Sequence, residues 1–580
     1  MPRIVHITHE AVKKIGGIGT VLEGMLTSRT YRERIERTIL MGPLQEITDD
    51  AADRLGPGGQ VYYSSIDGNY GGPHPAAFRS IEEKHGVRLV YGERIFIQPE
   101  TGEQIPVETL LVNLSSLPSE RVSYFKYRLW QSYGLDSARH DAYWEFELYM
   151  RIAEPGYEAL KHLLGVGGPN VFISHDFMGM GTILKVLLTG DPADRTVFHA
   201  HEVASARGIT EGNSGHDTMF YNVLRAALSE EKSIEDIWGG QGHYFKHPLF
   251  QMASRCDAIF AVGDLIVEEL RFLGPEFRHL PIECVYNGVP ADSISWEERQ
   301  HSRHQLQEYA AGLVGGPVDY IFSHVARPVL SKAFWRDFQL LMHLDRHLQR
   351  RGQRAVLFLL ASEGSARRAE HEVIAMEESY GWPVYHRSGW PDLTGSEVGI
   401  NDAVQSFNLG AKNIRAVYLN QYGWSHGVCG RRMPEAMEFR DLRRGSDVEL
   451  GLSIYEPFGI ALLEPLTYGA VSVISSVCGC SGFIEKTGGL NHPNVLIGDY
   501  TRLTGWNGNA MDYLWVDRRT RDRNEVVQSF QLANELNRRL STKPSILQQR
   551  LASGYELASR MSCDAVVRDQ FLPGLKRINA

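Results

Sequence analysis

Two glutamates that are eight positions apart, Glu456 and Glu464, flank a turn that could hold a phosphate group. The segment Tyr455–Glu464 reads YEPFGIALLE, follows a predicted strand and opens a helix through its Pro-x-Gly turn. Glu456 would lie in the loop and Glu464 about two turns into the helix. Phe458, Gly459 and Ile460 lie between them, where free N–H groups could bind an anion. Because carboxylates accept hydrogen bonds from hydroxyls, the pattern favours a nucleotide sugar over a helix start with ordinary acidic residues.

A basic pair follows the first strand predicted for the second half of the chain. The segment Arg327–Lys332 reads RPVLSK. Arginine and lysine at the carboxyl end of a strand could together clamp a diphosphate. A solvated basic turn is the alternative for this segment taken alone.

Glycines follow the first predicted strand of the chain. Lys14–Gly19 reads KIGGIG and precedes an amphipathic helix. Gly16 and Gly17 would let the backbone approach an anion at the helix start, and Lys14 would add a positive charge. The spacing is not G-x-G-x-x-G, so it does not indicate a dinucleotide fold. A tight strand-to-helix turn is the alternative.

Polar residues end two further predicted strands. Phe198–Glu202 reads FHAHE, with Arg207 six residues beyond His201, and His175 and Asp176 end another strand. Arg207 could neutralise a leaving phosphate, whereas a lone histidine is more often structural. Neither segment has the spacing of a zinc motif, so the sequence predicts no metal.

Short apolar runs that alternate with helical patterns must position these residues. In the first half the predicted strands are Arg3–Thr8, Thr38–Gly42, Val87–Tyr91, Asn170–Ser174, Thr196–Ala200, Ala258–Val262 and Glu283–Tyr286. In the second half they are Tyr320–His324, Ala355–Ala361, Ile414–Leu419, Val448–Ser453 and Val471–Ser475. This alternation predicts two parallel sheets in tandem, each covered by helices on both faces. Residues 46–80, which are rich in Gly, Pro, Asp and Tyr, are predicted to be a surface excursion.

The bulk properties are those of an ordinary globular chain. The chain has 580 residues, which is too many for a single hydrophobic core. Of these residues 43% are apolar and 22% are charged, as is usual in globular proteins. The formal net charge of -10 disfavours nucleic-acid and anionic-membrane partners. The N-terminus resembles a strand rather than a signal peptide, and no apolar run approaches the ~20 residues of a membrane span. We therefore expect a soluble, cytoplasmic protein; a homo-oligomer stays open as an alternative to a monomer.

The motifs together resemble the glycogen synthases. Lys14–Val21 reads KIGGIGTV where that family has K-V-G-G-I-Y-T-V, and Tyr455–Glu464 matches its Y-E-P-W-G-Y-T-P-A-E. The segment ending at Arg207 and the MFYN at Met219–Asn222 are similar to the animal and fungal type. The E-x7-E spacing is typical of retaining GT-B transferases generally. Ala461 and Leu462 replace the Thr-Pro of the family, and this stretch resembles sucrose synthase-like and lipopolysaccharide-type transferases more closely. The chain as a whole also has some starch synthase-like features.

The resemblance implies an α/β GT-B fold, in which two Rossmann-like domains face each other across a deep cleft and a C-terminal helix crosses back to the first domain. The implied boundaries are 1–290 for the acceptor-side domain, 291–560 for the nucleotide-sugar domain and 561–580 for the final helix. It implies a glucosyltransferase that transfers glucose from UDP-glucose or ADP-glucose to an α-1,4-glucan, without a cofactor. A different acceptor (a small sugar, a sugar phosphate or a lipid-linked glycan) and a catalytically silent glucan-binding protein are the alternatives.

The resemblance also assigns roles to the residues of the motifs. Catalytic roles fall to Arg327, Lys332, Glu456, His201 and Arg207. Donor and sugar contacts fall to Lys14, Gly16, Gly17, His175, Asp176, Phe458, Gly459, Ile460 and Glu464. The basic helix that binds glucose 6-phosphate in the animal and fungal enzymes is not evident, because Arg440, Arg443 and Arg444 lie elsewhere.

Overall fold

A computed structural model of the chain describes residues 1–44, 50–99, 101–114, 119–165, 168–363 and 368–578. The chain divides into two units. Unit 1 consists of Met1–Arg207, Ala227–Gly288 and Cys563–Ala580, and unit 2 consists of Gly208–Ala226 and Val289–Ser562. Residues 208–226 thus belong to unit 2, although the sequence places them in the first domain.

The sheet of unit 1 contains ten strands. They are β1 (Arg3–Ile7), β2 (Arg37–Pro43), β3 (Gln60–Ser64), β4 (Asn69–Tyr70), β5 (Arg88–Ile97), β6 (Gln104–Asn113), β7 (Asn170–His175), β8 (Asp194–Ala200), β9 (Ala258–Ala261) and β10 (Ile282–Cys284). Their order is β10-β9-β8-β7-β1-β2-β6-β5-β3-β4. The pairs from β10 to β6 are parallel, and those among β6, β5, β3 and β4 are antiparallel.

This sheet corrects two predictions. It is mixed rather than purely parallel, because a hairpin of two long strands, β5 and β6, extends its edge. The predicted surface excursion at 46–80 contributes β3, β4 and the start of a helix, since Gln60–Ser64 pairs with β5 despite the surrounding turn residues. The part of that segment at 46–49 lies outside the described residues.

The sheet of unit 2 contains six strands, all parallel. They are β11 (Tyr320–Val325), β12 (Ala355–Leu360), β13 (Ile414–Leu419), β14 (Val448–Gly451), β15 (Val471–Ser475) and β16 (Val495–Gly498). Their order is β13-β12-β11-β14-β15-β16. The sequence predicts every one of them except β16.

Helices connect the strands. The first eleven are α1 (Gly17–Thr27), α2 (Arg29–Arg34), α3 (Pro75–His85), α4 (Ser119–Tyr133), α5 (Trp144–Leu164), α6 (Met180–Thr189), α7 (Ala204–Gly212), α8 (His216–Ser229), α9 (Ile234–Trp238), α10 (Lys246–Met252) and α11 (Asp264–Leu273). The others are α12 (Trp296–Val314), α13 (Phe334–Arg351), α14 (Glu370–Tyr380), α15 (Glu397–Gly410), α16 (His426–Cys429), α17 (Phe439–Gly445), α18 (Ile460–Thr467), α19 (Cys480–Lys486), α20 (Ala510–Tyr513), α21 (Arg518–Arg539), α22 (Pro544–Arg560), α23 (Cys563–Val566) and α24 (Leu572–Arg577).

Alternate residues of the central strands of unit 2 supply two separate cores. Leu357 and Leu359 of β12 pack in one buried cluster with α13, whereas Val356 and Phe358 pack in another with Tyr309 of α12. Successive side chains of a strand point to opposite faces, so this division means that both faces of the sheet are covered. That arrangement explains why the strands are apolar throughout.

A buried ion network explains why residues 208–226 belong to unit 2. Both terminal nitrogens of Arg336 donate to the carboxylate of Asp217, at 2.9 and 2.6 Å, and its Nε donates to Glu525 at 2.8 Å. All three side chains are fully buried. Since a buried charge is tolerated only when it is paired, Asp217 anchors the start of α8 to α13 and α21.

The final segment, Cys563–Ala580, groups with unit 1. The side chain of Gln570 accepts a hydrogen bond from the backbone N–H of Tyr286 at 2.9 Å, and Phe571 packs against the ring of Tyr31.

Among the described residues, no helix is both long and apolar enough to span a membrane.

Candidate functional site

The order of the strands in unit 2 reverses direction between β11 and β14. From β11 the chain proceeds to β12 and β13 on one side, and from β14 to β15 and β16 on the other. In open α/β sheets such a switch point leaves a crevice at the carboxyl ends of the two central strands, where ligands bind. The two motifs that the sequence singles out in this half follow these two strands.

Lys332 and Glu456 meet at this switch point. Lys332 ends a short 3-10 turn after β11, and the ammonium group forms an ion pair with the carboxylate of Glu456 in the loop after β14. The backbone joins the same loops, because the N–H of Ile454 donates to the carbonyl of Ser331 at 2.8 Å. Only 17% of the Lys332 side chain and 13% of the Glu456 side chain are exposed, so both face a largely enclosed space.

Arg327 lies in the same loop as Lys332 but is not brought into this pair. Its side chain is exposed, and its guanidinium forms no ion pair with any described residue. The predicted role of Arg327 in binding the diphosphate stays a prediction.

The turn between Glu456 and α18 is held by close backbone contacts. Gly479 donates its N–H to the carbonyl of Glu456 at 2.9 Å, and Cys480 donates to the carbonyl of Phe458 at 2.9 Å. A Cβ atom at Gly479 would lie 1.8 Å from the carbonyl oxygen of Pro457, so only glycine allows this approach. The loop after β15 thereby fixes the turn that precedes α18.

Gly459 caps α18 in a left-handed conformation, with φ of 94°. A side chain there would be strained and would contact Glu456 Cγ and Leu462. Ile460 is the first residue of the helix, so its N–H group is among those that have no acceptor within the helix and point out of its positive end. Gly459 and Ile460 can therefore present N–H groups to an anion, as the sequence predicts, and Phe458 is buried beside them.

Glu464 lies one turn into α18 rather than two, because the helix begins only at Ile460. Its carboxylate forms an ion pair with Nε of Arg443 at 3.0 Å. Arg443 also pairs with the buried Glu449 of β14, and burial raises the pKa of Glu449 while Arg443 opposes that shift. The sequence does not predict this contact of Arg443, because no local pattern connects α17 with the loop after β14.

In the glycine loop of unit 1, Lys14–Gly19, a carboxylate of the protein already binds the backbone N–H groups that are predicted to bind a phosphate. One carboxylate oxygen of Glu10 accepts the backbone N–H groups of Ile15 and Gly16 at 2.8 Å each and of Gly19 at 3.0 Å. A Cβ at Gly19 would lie 2.5 Å from this oxygen, so the contact requires glycine. The role predicted for Gly16 in binding phosphate would need Glu10 to move away first. The sequence does not predict this role for Glu10, which lies in the loop three residues after β1.

The other residues predicted in this loop are more open. Lys14 forms an ion pair with Glu23 at 2.9 Å, and both side chains are about half exposed. Gly17 is the first residue of α1, and nothing lies within 4 Å of a Cβ built on it. The space around Gly17 is thus open, and the binding roles of Lys14 and Gly17 stay predictions.

His175 and His201 come together at the switch point of unit 1, where β1 lies beside β7. Nδ1 of His175 is 2.8 Å from Nε2 of His201, and Nε2 of His175 is 2.9 Å from Nδ1 of His6. His6 Nε2 is in turn 3.1 Å from the hydroxyl of Tyr31. The sequence names the first two histidines separately, but only the pairing of the strands shows that they form one chain with His6.

Burial keeps these histidines neutral. It lowers the pKa of His6 to about 3 and that of His199, beside them on β8, to about 4, although a main-chain contact from Val285 opposes the second shift. Burial and the neighbouring imidazoles also lower the pKa of His175 and His201 well below the usual value.

Asp176 orients the loop that contains His201. Its Oδ1 accepts the backbone N–H groups of His201 at 2.6 Å and Glu202 at 3.3 Å, and its own backbone has a positive φ of 53°. Burial and the nearby Glu202 raise the pKa of Asp176 well above its usual value. Arg207 pairs with Glu202 at 2.9 Å. Asp176 thus holds the loop by backbone contacts, and a contact of Asp176 or Arg207 with substrate stays a prediction.

Comparison with known proteins identifies the fold. No protein-family model matches the chain, and no curated protein matches it by sequence. Solved structures match over its whole length. An α,α-trehalose 6-phosphate synthase from Burkholderia multivorans is 14% identical with a TM-score of 0.51, and 100% of this chain and 99% of that one are covered. The corresponding enzyme from Burkholderia vietnamiensis, described as UDP-forming, is 14% identical with a TM-score of 0.51, and 99% of each chain is covered.

A third structure gives the same result. The UDP-forming α,α-trehalose-phosphate synthase from Burkholderia xenovorans is 14% identical with a TM-score of 0.50, and both chains are covered completely. Identities this low establish the fold alone. The prediction of a two-domain α/β GT-B fold is confirmed: this chain has the fold of these synthases from end to end.

Proposed function

We propose that the chain is a retaining glucosyltransferase that uses a nucleoside-diphosphate glucose as donor. The ion pair of Lys332 and Glu456 at the switch point of unit 2 is the observation that carries the proposal. It places a cation and a hydroxyl acceptor next to the start of α18, and Glu464 lies one turn further along that helix. A donor diphosphate would lie against the N–H groups at the start of α18, between hydroxyls bound by the two glutamates.

The chemistry of the transfer follows from these charges. The bond between the anomeric carbon and the diphosphate oxygen breaks, and its electron pair stays on the diphosphate. Lys332, the first N–H groups of α18 and the exposed Arg327 would stabilise this developing negative charge, which lowers the barrier. The acceptor hydroxyl then attacks on the same face and gives its proton to the leaving phosphate. This route involves no covalent intermediate between the glucose and the protein.

We propose a small sugar phosphate as the acceptor, ahead of a glucan. Three solved structures that share the fold over the full chain are named as trehalose-phosphate synthases, which favours a phosphorylated sugar. An α-1,4-glucan is the second candidate, because the KIGGIGTV segment at Lys14–Val21 resembles glycogen synthases. The donor site is the same in both cases, so the two candidates differ only in what receives the glucose.

A matrix of donors and acceptors tests the proposal. The purified full-length chain is incubated with UDP-glucose or ADP-glucose and with glucose 6-phosphate or glycogen, while release of UDP or ADP is followed. We expect release that depends on glucose 6-phosphate and a small phosphorylated disaccharide, with the configuration at the anomeric carbon retained by NMR. Release that depends only on glycogen would move the assignment to the glucan candidate. No release from any pair would refute transferase activity.

A further inference from the structure

Three buried histidines of unit 1 form a cluster in which one ring nitrogen from each lies within 4.8 Å of the others. His175 ends β7, and His199 and His201 lie at the end of the neighbouring β8. The ring centroids of His199 and His201 are 4.4 Å apart, and those of His175 and His201 are 5.1 Å apart. We propose that His175, His199 and His201 bind a divalent cation of the zinc class, at a site that the donor contacts proposed for unit 2 do not include.

The spacing of the ring nitrogens suits such an ion after a small adjustment. Tetrahedral zinc with Zn–N bonds of about 2.0–2.1 Å separates its nitrogen ligands by roughly 3.4 Å. Nδ1 of His175 and Nε2 of His201 are 2.8 Å apart, which is the distance of a hydrogen bond through one proton. Replacing that proton with a metal ion would move the two nitrogens apart by about 0.5 Å. Small rotations about the side-chain torsions of the two histidines can supply this movement.

Among the described residues, the ring nitrogens of His199 make only the main-chain contact with Val285. Its side chain is buried, and neither Nδ1 nor Nε2 has a hydrogen bond of normal geometry. Buried polar groups are nearly always paired, and an exception at one position calls for a ligand or a functional role. A metal ion bound beside His175 and His201 would supply the missing partner of His199.

The contacts around His175 resemble the surroundings of a metal ligand. With Nδ1 on the ion, the remaining proton of His175 lies on Nε2 and is donated to His6 at 2.9 Å. His6 must then donate from Nε2 to the hydroxyl of Tyr31 at 3.1 Å, and the hydroxyls of Tyr31 and Thr38 are 3.1 Å apart. Because a neutral imidazole has one donor and one acceptor, the ion fixes the direction of the bond from His175 to His6 and of the bond from His6 to Tyr31. Such outer contacts orient histidine ligands in metal sites generally.

The ligand set selects the kind of ion. Imidazole nitrogens favour Zn²⁺, Cu²⁺ and Ni²⁺, whereas Mg²⁺ and Ca²⁺ prefer oxygen ligands. Three histidine ligands leave a fourth position of zinc open to water. The ion would bind Nε2 of His201 and leave Nδ1 of the same ring free for another contact. It would thereby fix the orientation of the His201 ring.

Binding of Co²⁺ to the full-length, chelator-stripped protein tests the site without any assay of activity. We expect the visible absorption of tetrahedral cobalt to saturate at one ion per chain, and one Zn²⁺ to be retained after gel filtration. His199→Ala should abolish both signals. Tyr31→Phe, which breaks the outer chain without removing a ligand, should weaken binding at least about tenfold. The control is His247→Ala, which removes a buried histidine outside the cluster, bonded to Ser205, and should bind like wild type.

The outcomes separate the alternatives. Wild type that binds neither ion, or a folded His199→Ala or His199→Gln variant that binds as well as wild type, would overturn the proposal and leave a neutral hydrogen-bonded histidine chain. Circular dichroism and the midpoint of thermal unfolding show which variants are folded. Metal binding is measured in the absence of a nucleotide sugar, so failure here is distinct from failure of the proposed transferase activity.

Discussion

Lys332 and Glu456, which lie 124 positions apart in the chain, form an ion pair between the loops that follow the two central strands of unit 2. Removing the positive charge should impair the chemical step, because the leaving diphosphate would lose a cation aligned with it. We expect Lys332→Ala to lower kcat about 10²–10³-fold, with a smaller effect on the KM of the acceptor. Steady-state kinetics with the active donor and acceptor pair measures this.

Lys412→Ala is the matched control for the loss of a lysine charge, since the exposed Lys412 precedes β13, at the amino end of the sheet of unit 2 and away from this switch point. It should leave kcat within about twofold of wild type, an effect well under 1 kcal/mol. If Lys332→Ala kept wild-type turnover, the loop after β11 would have no part in stabilising the leaving group.

The turn before α18 depends on a glycine. Gly459→Ala places a side chain at a φ of 94° and against Glu456 and Leu462, so it should destabilise unit 2 by about 1–3 kcal/mol and weaken binding of the donor. Thermal unfolding and titration with the nucleoside diphosphate measure the two effects. Gly312→Ala, at an exposed position in the last turn of α12 with nothing near its Cβ, should be stabilising by about 0.4–1 kcal/mol. Equal effects of the two substitutions would contradict the strain at Gly459.

The apolar runs of unit 2 predict five of its six strands, because each run corresponds to one buried strand; the four-residue β16 is not among them. In β6 the segment QIPVE alternates polar with apolar residues, but Pro106 argues against a strand because proline lacks the N–H group that a strand interior needs. The polar contacts were harder to predict than the strands. The chain of His6, His175 and His201 depends on which strands are neighbours, and the contact of Glu10 with three N–H groups depends on the path of a loop. Local periodicity contains neither kind of information.

Glu10 should control the order of the glycine loop. Glu10→Ala removes the acceptor of three N–H groups, so the amides of Ile15, Gly16 and Gly19 should exchange with deuterium at least about tenfold faster, a loss of more than 1 kcal/mol of local protection. Hydrogen exchange followed by mass spectrometry measures the peptide that contains them. Glu23→Ala, which removes only the exposed partner of Lys14, should leave their exchange unchanged. Unchanged exchange in Glu10→Ala would mean that other groups protect these amides.

Acid should destabilise the protein through its buried histidines. Burial lowers the pKa of His247 to about 4, whereas the same side chain in the unfolded chain titrates near 6.5. Between these values the unfolded state binds the extra proton, so stability that is present above pH 6.5 is lost as the pH falls toward 4. His247→Gln should therefore make the pH dependence of stability shallower between pH 6.5 and 5, by about 1 kcal/mol per pH unit.

Urea unfolding at several pH values measures this slope. His304→Gln, at an exposed histidine on α12, should keep the wild-type slope. Parallel curves for wild type and His247→Gln would show that His247 is protonated equally in both states.

The buried ions around Arg336 should contribute strongly to the stability of unit 2. Arg336→Met leaves the carboxylates of Asp217 and Glu525 buried and without their cation, so it should cost about 3–5 kcal/mol. Arg518→Ala, which breaks an exposed pair with Asp522 at 3.6 Å, should cost less than about 1 kcal/mol. Urea unfolding gives both values. Since Asp217 anchors residues 208–226, the first variant should also speed proteolysis within α8. A loss below about 1 kcal/mol in Arg336→Met would mean that the two acids are protonated once the arginine is gone.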